Sequence, residues 1–185
     1  MMYHKLRTCL ASVKEKVDFR PEAALILGSG LGDYSDEIDI TDTIEYSEIE
    51  GFPVSTVKGH KGRFVFGYVE KTPVVVMQGR VHYYEGYPMP DVVLPTRLMG
   101  MLGAKKILLT NAAGGINDTF KPGDFMMITD HITTGIPSPL IGPNIEELGT
   151  RFPDMSEVYS NRLCNIIRQY AAECGIDMKE GVYVQ

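Results

Sequence analysis

The sequence predicts an α/β fold, with a mixed, largely parallel and twisted β-sheet flanked by helices. Two short apolar runs, residues 23–27 and 106–110, have the composition of strands buried in a parallel sheet, and a glycine-rich segment follows each run. Between them, apolar residues recur at helical spacing over residues 94–102. Strands that alternate with helices build sheets of this kind. No linker-like stretch is visible, so a single domain is predicted over residues 1–185.

A helix is predicted before the first strand. Leu6, Leu10, Val13 and Val17 lie at helical spacing, which is typical of an amphipathic surface helix. Pro21 follows them and is expected to end the helix, because proline cannot continue the hydrogen-bond ladder.

The remaining elements follow from local composition. The acidic segment 33–50 is predicted to be a solvated connection with a possible short helix or strand and without chemistry. Residues 79–90 are rich enough in glycine, proline and tyrosine to form a loop. Asp154 and Glu157 have the spacing of a capping box, which predicts a helix that continues to Tyr170. Further strands are predicted over residues 63–70, 73–78, 125–129 and 181–185.

Charge and composition exclude several classes of protein. The formal net charge of −6 argues against broad nucleic-acid binding, which needs a clustered basic surface. A small anion is still permitted, because one arginine with oriented amides can hold a phosphate inside an acidic protein. No apolar stretch of about 18 residues could span a membrane. The N-terminus lacks a secretory pattern, so a soluble, cytoplasmic protein is predicted.

Neither the cysteines nor the histidines have the spacing of metal ligands. An odd number of cysteines without such spacing favours free thiols in a reducing cytoplasm. The histidines lie far apart in sequence, so no metal site is predicted. The residues concerned are Cys9, Cys164 and Cys174, and His4, His60, His82 and His131.

The first glycine-rich segment, residues 28–32, follows a predicted buried strand. Glycines at such a position let backbone amides turn toward one point and bind an anion, and the Ser29 hydroxyl adds a donor. A tight turn without a ligand is the alternative. A dinucleotide-binding fingerprint would need glycine where Asp33 stands, and neither a P-loop lysine nor a serine-hydrolase elbow is present.

The segment 79–86 carries the strongest candidate residues. Arg80 offers a fork of donors suited to phosphate oxygens, and His82 points the same way if the chain is extended there. Glu85 is positioned in sequence to orient either of them. The alternative is a solvated loop with chance charges.

Two further segments give weaker signals. His60 lies between glycines in residues 59–62, where a surface or capping histidine is the usual explanation. Residues 111–115, which include Ala112, are small enough to let backbone approach a ligand closely, but a turn or helix start fits them equally well.

Taken in order, these segments resemble the trimeric purine nucleoside phosphorylases, and the similarity extends over essentially the whole chain. The combination of G-R-x-H-x-Y-E-G with N-A-A-G-G is specific for this family. The segments that carry the resemblance are residues 28–32, 59–60, 79–86, 110–115 and 151–156.

The resemblance implies roles for individual residues. It places five of them at a phosphate site, with the arginine and histidine of G-R-x-H also catalytic. It places Tyr84 against the ribose and Phe152 in the nucleoside site of a neighbouring subunit, so that a homotrimer is expected. The phosphate-binding residues implied by the resemblance are Ser29, His60, Arg80, His82 and Ala112.

The implied reaction is phosphorolysis of purine nucleosides such as inosine and guanosine to free base and ribose 1-phosphate, in purine salvage. Cleavage of an N-glycosidic bond builds oxocarbenium character on the ribose. A phosphate held against the opposite face stabilises that charge and supplies the nucleophile. No cofactor or metal is expected, since inorganic phosphate is itself a substrate.

The sequence lacks the family's segments for base recognition, which are expected beyond Gln185, so the domain is predicted to be incomplete at its C-terminus. Two alternatives therefore stay open: a methylthioadenosine phosphorylase, and a non-catalytic phosphate- or nucleoside-binding protein. A dinucleotide-dependent oxidoreductase is disfavoured by Asp33.

Overall fold

A computed structural model describes residues 2–55 and 61–185 as two compact units, Met1–Ala112 and Ala113–Gln185. The prediction of a single domain stays a prediction. The helices are α1 (Met2–Lys16), α2 (Met89–Val92), α3 (Leu94–Leu102) and α4 (Asn161–Glu173). The strands are β1 (Ala23–Leu27), β2 (Asp39–Glu45), β3 (Arg63–Val69), β4 (Thr72–Gln78), β5 (Lys106–Leu109), β6 (Phe125–Ile132) and β7 (Met178–Val184).

The first unit is built on a five-stranded sheet in the order β2-β3-β4-β1-β5. Strand β1 is parallel to both β4 and β5, whereas β2 and β3 join the sheet through antiparallel pairings. The predicted mixed α/β fold is therefore confirmed. The sequences of strands β1, β3 and β4 are nearly continuous apolar runs. Most of their residues are buried, as in a sheet covered on both faces.

The core of this unit contains the aromatic side chains of Tyr46, Phe52 and Phe64. Tyr46 and Phe64 are fully buried, and their ring centroids lie 5.0 Å apart in an edge-to-face arrangement. Helix α1 buries Leu6, Cys9 and Val13 and contacts α3. The buried face of α1 follows the spacing that predicted the helix.

The second unit contains the parallel pair β6-β7 and helix α4, which contacts β7. Arg168 of α4 donates from Nε and Nη2 to the two carboxylate oxygens of Glu180 in β7, over 2.6 and 2.7 Å. This bidentate geometry is the strong form of an arginine–carboxylate pair, although both side chains are partly exposed.

Several boundaries differ from the predictions. The helix expected to open at Asp154 begins at Asn161 instead. Asp154 accepts a hydrogen bond from the Ser156 N–H and stabilises a local turn, while Glu157 accepts the Asn161 N–H over 2.6 Å. The two carboxylates thus accept hydrogen bonds in two successive turns and do not form one capping box.

Two expectations about burial were also wrong. The acidic segment contains β2 and two short 3₁₀ helices, which the sequence allowed, but it also buries Ile44 and Tyr46 and is therefore not simply a solvated connection. Strand β5 was expected to be buried, yet it lies at the end of the five-stranded sheet, and Leu108 and Leu109 are 49% and 53% exposed. Composition predicts a strand but does not reveal its place in the sheet.

Candidate active site

Three loops leave the five-stranded sheet at the same edge. Leu27 at the end of β1 pairs in register with Gln78 at the end of β4, and Ile26 pairs with Leu109 at the end of β5. Because these strands are parallel, the segments that follow them begin side by side. The segments are residues 28–32, 79–86 and 110–112, and they carry all the predicted phosphate-binding residues except His60.

Arg80 and His82 lie together in this group of loops. The Arg80 Nε donates to the His82 Nε2 over 3.2 Å, and the Arg80 Nη1 donates to the Thr110 carbonyl over 3.0 Å. These contacts hold the guanidinium between the loops that follow β4 and β5. The structure thus places side by side the two residues that the sequence predicted to converge.

Glu85 orients His82. Its carboxylate Oε1 accepts the backbone N–H of His82 over 2.7 Å and lies 2.9 Å from the His82 Nδ1. The Glu85 side chain is only 2% exposed, and its Oε2 accepts a hydrogen bond from the Ser55 hydroxyl over 3.3 Å. Sequence left open whether Glu85 orients Arg80 or His82, and these contacts are with His82.

These contacts also fix the tautomer of His82. An arginine can only donate, so in this contact the His82 Nε2 is the acceptor, which leaves Nδ1 as the nitrogen that carries the hydrogen. The Nδ1–H then donates to the Glu85 carboxylate. Glu85 therefore holds the ring at Nδ1, and Nε2 is directed toward Arg80.

We expect Glu85→Gln to weaken the binding of inorganic phosphate, the anion that the resemblance implies. The substitution removes a buried charge that binds His82 through two groups, and hydrogen bonds to charged groups contribute about 1.5–3 kcal/mol, or roughly 10- to 100-fold in affinity. Titration calorimetry measures the change, with the exposed Glu15→Gln on α1 as the matched control. Equal affinities of Glu85→Gln and the control would contradict this role.

The Tyr84 ring stacks on the His82 imidazole. The centroids are 4.7 Å apart and the planes differ by 16°. Tyr84 is nevertheless 75% exposed, so most of its surface is open to solvent in this structure. An exposed aromatic face beside the arginine and histidine is compatible with packing against a sugar, and that role stays a prediction.

The other predicted residues are placed less decisively. Ser29 and Ala112 are exposed, each in a loop that leaves the same sheet edge. His60 lies outside the described residues. Phe152 belongs to the second unit, is 84% exposed, and lies beneath the Arg151 guanidinium at 5.5 Å. The ligand contacts expected of these residues stay predictions.

The first glycine loop differs in detail from a simple anion nest. The Gly28 N–H donates to the Thr110 hydroxyl over 2.8 Å, and the Leu31 N–H donates to the Gly28 carbonyl over 3.1 Å. These two amides are occupied by the protein itself. Any anion at this loop must therefore use other donors, of which the Ser29 hydroxyl is one.

Thr110 and Tyr46 support the site, and the sequence did not single out either. Thr110 accepts from Gly28 and binds Arg80 through its carbonyl. The buried Tyr46 hydroxyl donates to the Gly79 carbonyl over 2.6 Å, and burial raises the pKa of Tyr46 well above its usual value, so the hydroxyl stays protonated. A threonine at the end of a strand was a visible signal, whereas Tyr46 lay in the segment thought to be without chemistry.

Within residues 2–55 and 61–185, no group of three or more histidine, cysteine, aspartate or glutamate side chains could hold a metal ion. In the same part of the chain, no helix is both long enough and apolar enough to cross a bilayer. The three cysteines are free in the structure.

Comparison with known proteins identifies the family. Residues 22–185 match the sequence profile of the phosphorylase superfamily. This chain belongs to that superfamily. Purine nucleoside phosphorylase 1 of Geobacillus stearothermophilus is 54% identical over 172 residues, which are 93% of this chain and 63% of that protein.

Solved structures of the superfamily agree with the sequence comparison. The purine nucleoside phosphorylase of Schistosoma mansoni in complex with acetate superposes with a TM-score of 0.92 at 41% identity, over 98% of this chain and 69% of that one. A purine nucleoside phosphorylase in complex with ribose-1-phosphate gives a TM-score of 0.91 at 41% identity, covering 98% and 68%. The predicted resemblance is confirmed. The chain spans about two thirds of the length of these phosphorylases.

Proposed function

We propose that this protein is a purine nucleoside phosphorylase, which uses inorganic phosphate to cleave purine nucleosides or deoxynucleosides, such as inosine and guanosine, into free base and (deoxy)ribose 1-phosphate. The observation that carries the proposal is the arrangement of Arg80 and His82, held together by Glu85 and Thr110 beside the Ser29 loop. A fixed guanidinium at a glycine-rich sheet edge suits a phosphate dianion. The oriented His82 ring can add a hydrogen bond to the anion once its Nε2 carries a hydrogen. The relatives named above are purine nucleoside phosphorylases, and they supply the substrate class.

In the proposed reaction, phosphate is bound by Arg80 and His82, together with Ser29, His60 and the Ala112 backbone. A phosphate oxygen attacks the anomeric carbon opposite the base as the N-glycosidic bond breaks. The bonding electron pair leaves with the base nitrogen, and the proton that the base takes up is balanced by the proton that the attacking hydrogen phosphate loses. The oxocarbenium character that develops on the ribose is stabilised by the adjacent anion, and the anomeric carbon inverts.

The proposal extends to the surroundings of this site. Tyr84 packs against the ribose, and Phe152 completes the nucleoside site of a neighbouring subunit in a homotrimer. The enzyme acts in purine salvage in the cytoplasm and needs no cofactor, because phosphate is both nucleophile and electrostatic stabiliser. Tyr84 is 75% exposed and Phe152 is 84% exposed, which leaves the first side chain open to contact a ribose and the second to contact a neighbouring subunit.

The test is release of base from inosine. We expect hypoxanthine, measured by coupling to xanthine oxidase, to be released only when phosphate or arsenate is present. A parallel reaction with 5′-methylthioadenosine distinguishes the methylthioadenosine phosphorylase alternative, which would prefer that nucleoside. Release that is independent of either anion would contradict phosphorolysis. No release, combined with a phosphate-induced rise in melting temperature that Arg80→Ala abolishes, would indicate a non-catalytic phosphate-binding protein.

A further inference from the structure

Gln78 is a buried amide at the end of an apolar strand. It is the last residue of β4, it is 2% exposed, and the four residues before it are apolar and buried. Its Nε2 donates to the Gly32 carbonyl and to the Ser35 hydroxyl, each over 2.8 Å. Its Oε1 accepts from the Arg63 Nε over 2.8 Å.

The surroundings determine which way this amide points. Arg63 can only donate and the Gly32 carbonyl can only accept, so exchanging the amide oxygen and nitrogen would break both contacts. Ser35, which is fully buried, accepts from Gln78 and donates to the Gly32 carbonyl over 3.0 Å. A buried polar network with every member paired is rigid and specific.

Thr110 holds the opposite end of the same loop. Its hydroxyl accepts the Gly28 N–H over 2.8 Å and donates to the Ile26 carbonyl over 3.3 Å. The loop of residues 28–32 is therefore fixed at its first residue by Thr110, which follows β5, and at its last residue by Gln78 of β4. Ser29 lies between these two attachments.

We propose that Gln78 and Thr110 form a clamp that positions Ser29 for the anion, so that both residues set phosphate affinity by holding this loop. This inference rests on the proposed phosphate site and adds two positioning residues to it. A loop that begins with Gly28, contains Gly30 at a φ of 83° and ends at Gly32 has a large conformational entropy when unrestrained. Fixing both ends in advance lowers the entropy lost on binding the ligand.

A double-mutant cycle with Ser29 tests the clamp through binding alone. The dissociation constant of inorganic phosphate is measured by titration calorimetry on the full chain, for Gln78→Met and Thr110→Val, each alone and combined with Ser29→Ala. We expect each clamp substitution to raise the dissociation constant about tenfold, the effect of roughly one lost buried hydrogen bond. In the Ser29→Ala background the same substitutions should change it less than about twofold, because their effect passes through Ser29.

Conservative and remote variants separate positioning from general stability. Thr110→Ser keeps the hydroxyl and should restore the affinity that Thr110→Val loses. Thr41→Val on β2 removes a hydroxyl that donates to the Phe66 carbonyl of β3, away from the loop, and should leave phosphate affinity unchanged. If Gln78→Met does not fold, Ser35→Ala removes the shared hydroxyl more mildly and takes its place in the cycle.

The outcomes distinguish this inference from the proposed function. Clamp effects of equal size with and without Ser29 would overturn the clamp and leave the phosphate site intact. A wild-type chain that binds no phosphate would overturn both. Phosphate binding with the expected coupling, but without base release from inosine, would support the clamp and contradict the phosphorylase activity.

Discussion

Replacing Arg80 with alanine is expected to reduce phosphate-dependent cleavage of inosine by about 100- to 1000-fold, the usual cost of removing one preorganised donor from a developing charge. The guanidinium is a charged donor in the loop that follows β4, and it is fixed by His82 and the Thr110 carbonyl. Its loss removes the charge that attracts phosphate and also the hydrogen bond to the His82 Nε2. Steady-state kinetics with phosphate as the varied substrate measure the effect.

Two variants sharpen this prediction. Arg80→Lys keeps the charge but cannot reach His82 and Thr110 with a planar fork, so we expect it to recover only part of the activity. Arg7→Ala removes an exposed arginine of α1 and should retain full activity. If the rate of Arg80→Ala depended on phosphate concentration as the wild type does, Arg80 would not be part of the phosphate site, even if the total activity were lower.

Gly28→Ala is expected to destabilise the chain by overpacking this edge of the sheet. A Cβ at Gly28 would lie 2.5 Å from the Thr110 carbonyl oxygen and 2.7 Å from the Asn111 Cα. Both are backbone atoms that cannot rotate away, so β1 and β5 must separate. Overpacking of this kind costs about 1–3 kcal/mol, which for a chain of this size lowers the melting temperature by roughly 2–4 °C per kcal/mol.

The matched control lies in the same loop. A Cβ at Gly32 meets no atom within 4 Å, so Gly32→Ala should melt close to the wild type. Because the displaced Thr110 carbonyl also binds Arg80, Gly28→Ala should weaken phosphate binding as well as stability. A Gly28→Ala chain as stable as Gly32→Ala would mean that the close approach of β1 and β5 at this point is not maintained in solution.

Local patterns predicted most of the secondary structure because each signal is contained in a few neighbouring residues. The run 23–27 became β1 with the same bounds, and the helical spacing of residues 94–102 became α3. Boundaries were less accurate where a side chain had several possible partners. Asp154 resembles a helix cap in sequence, yet it binds Ser156 instead, and only the folded chain distinguishes these choices.

The sequence by itself was enough to predict the family, the fold class and the candidate site residues Arg80, His82 and Glu85, since these predictions depend on residue type and spacing within short segments. The tertiary structure decided how they are held. Thr110 is 30 residues from Arg80, Gln78 is 46 from Gly32, and Tyr46 is 33 from Gly79, so each contact exists only after distant strands pair. Strand order also left β5 at the edge of its sheet, although its composition predicted burial. A local sequence pattern indicates which hydrogen bonds and contacts a residue can make. Which partner it contacts depends on strand pairings between residues far apart in sequence.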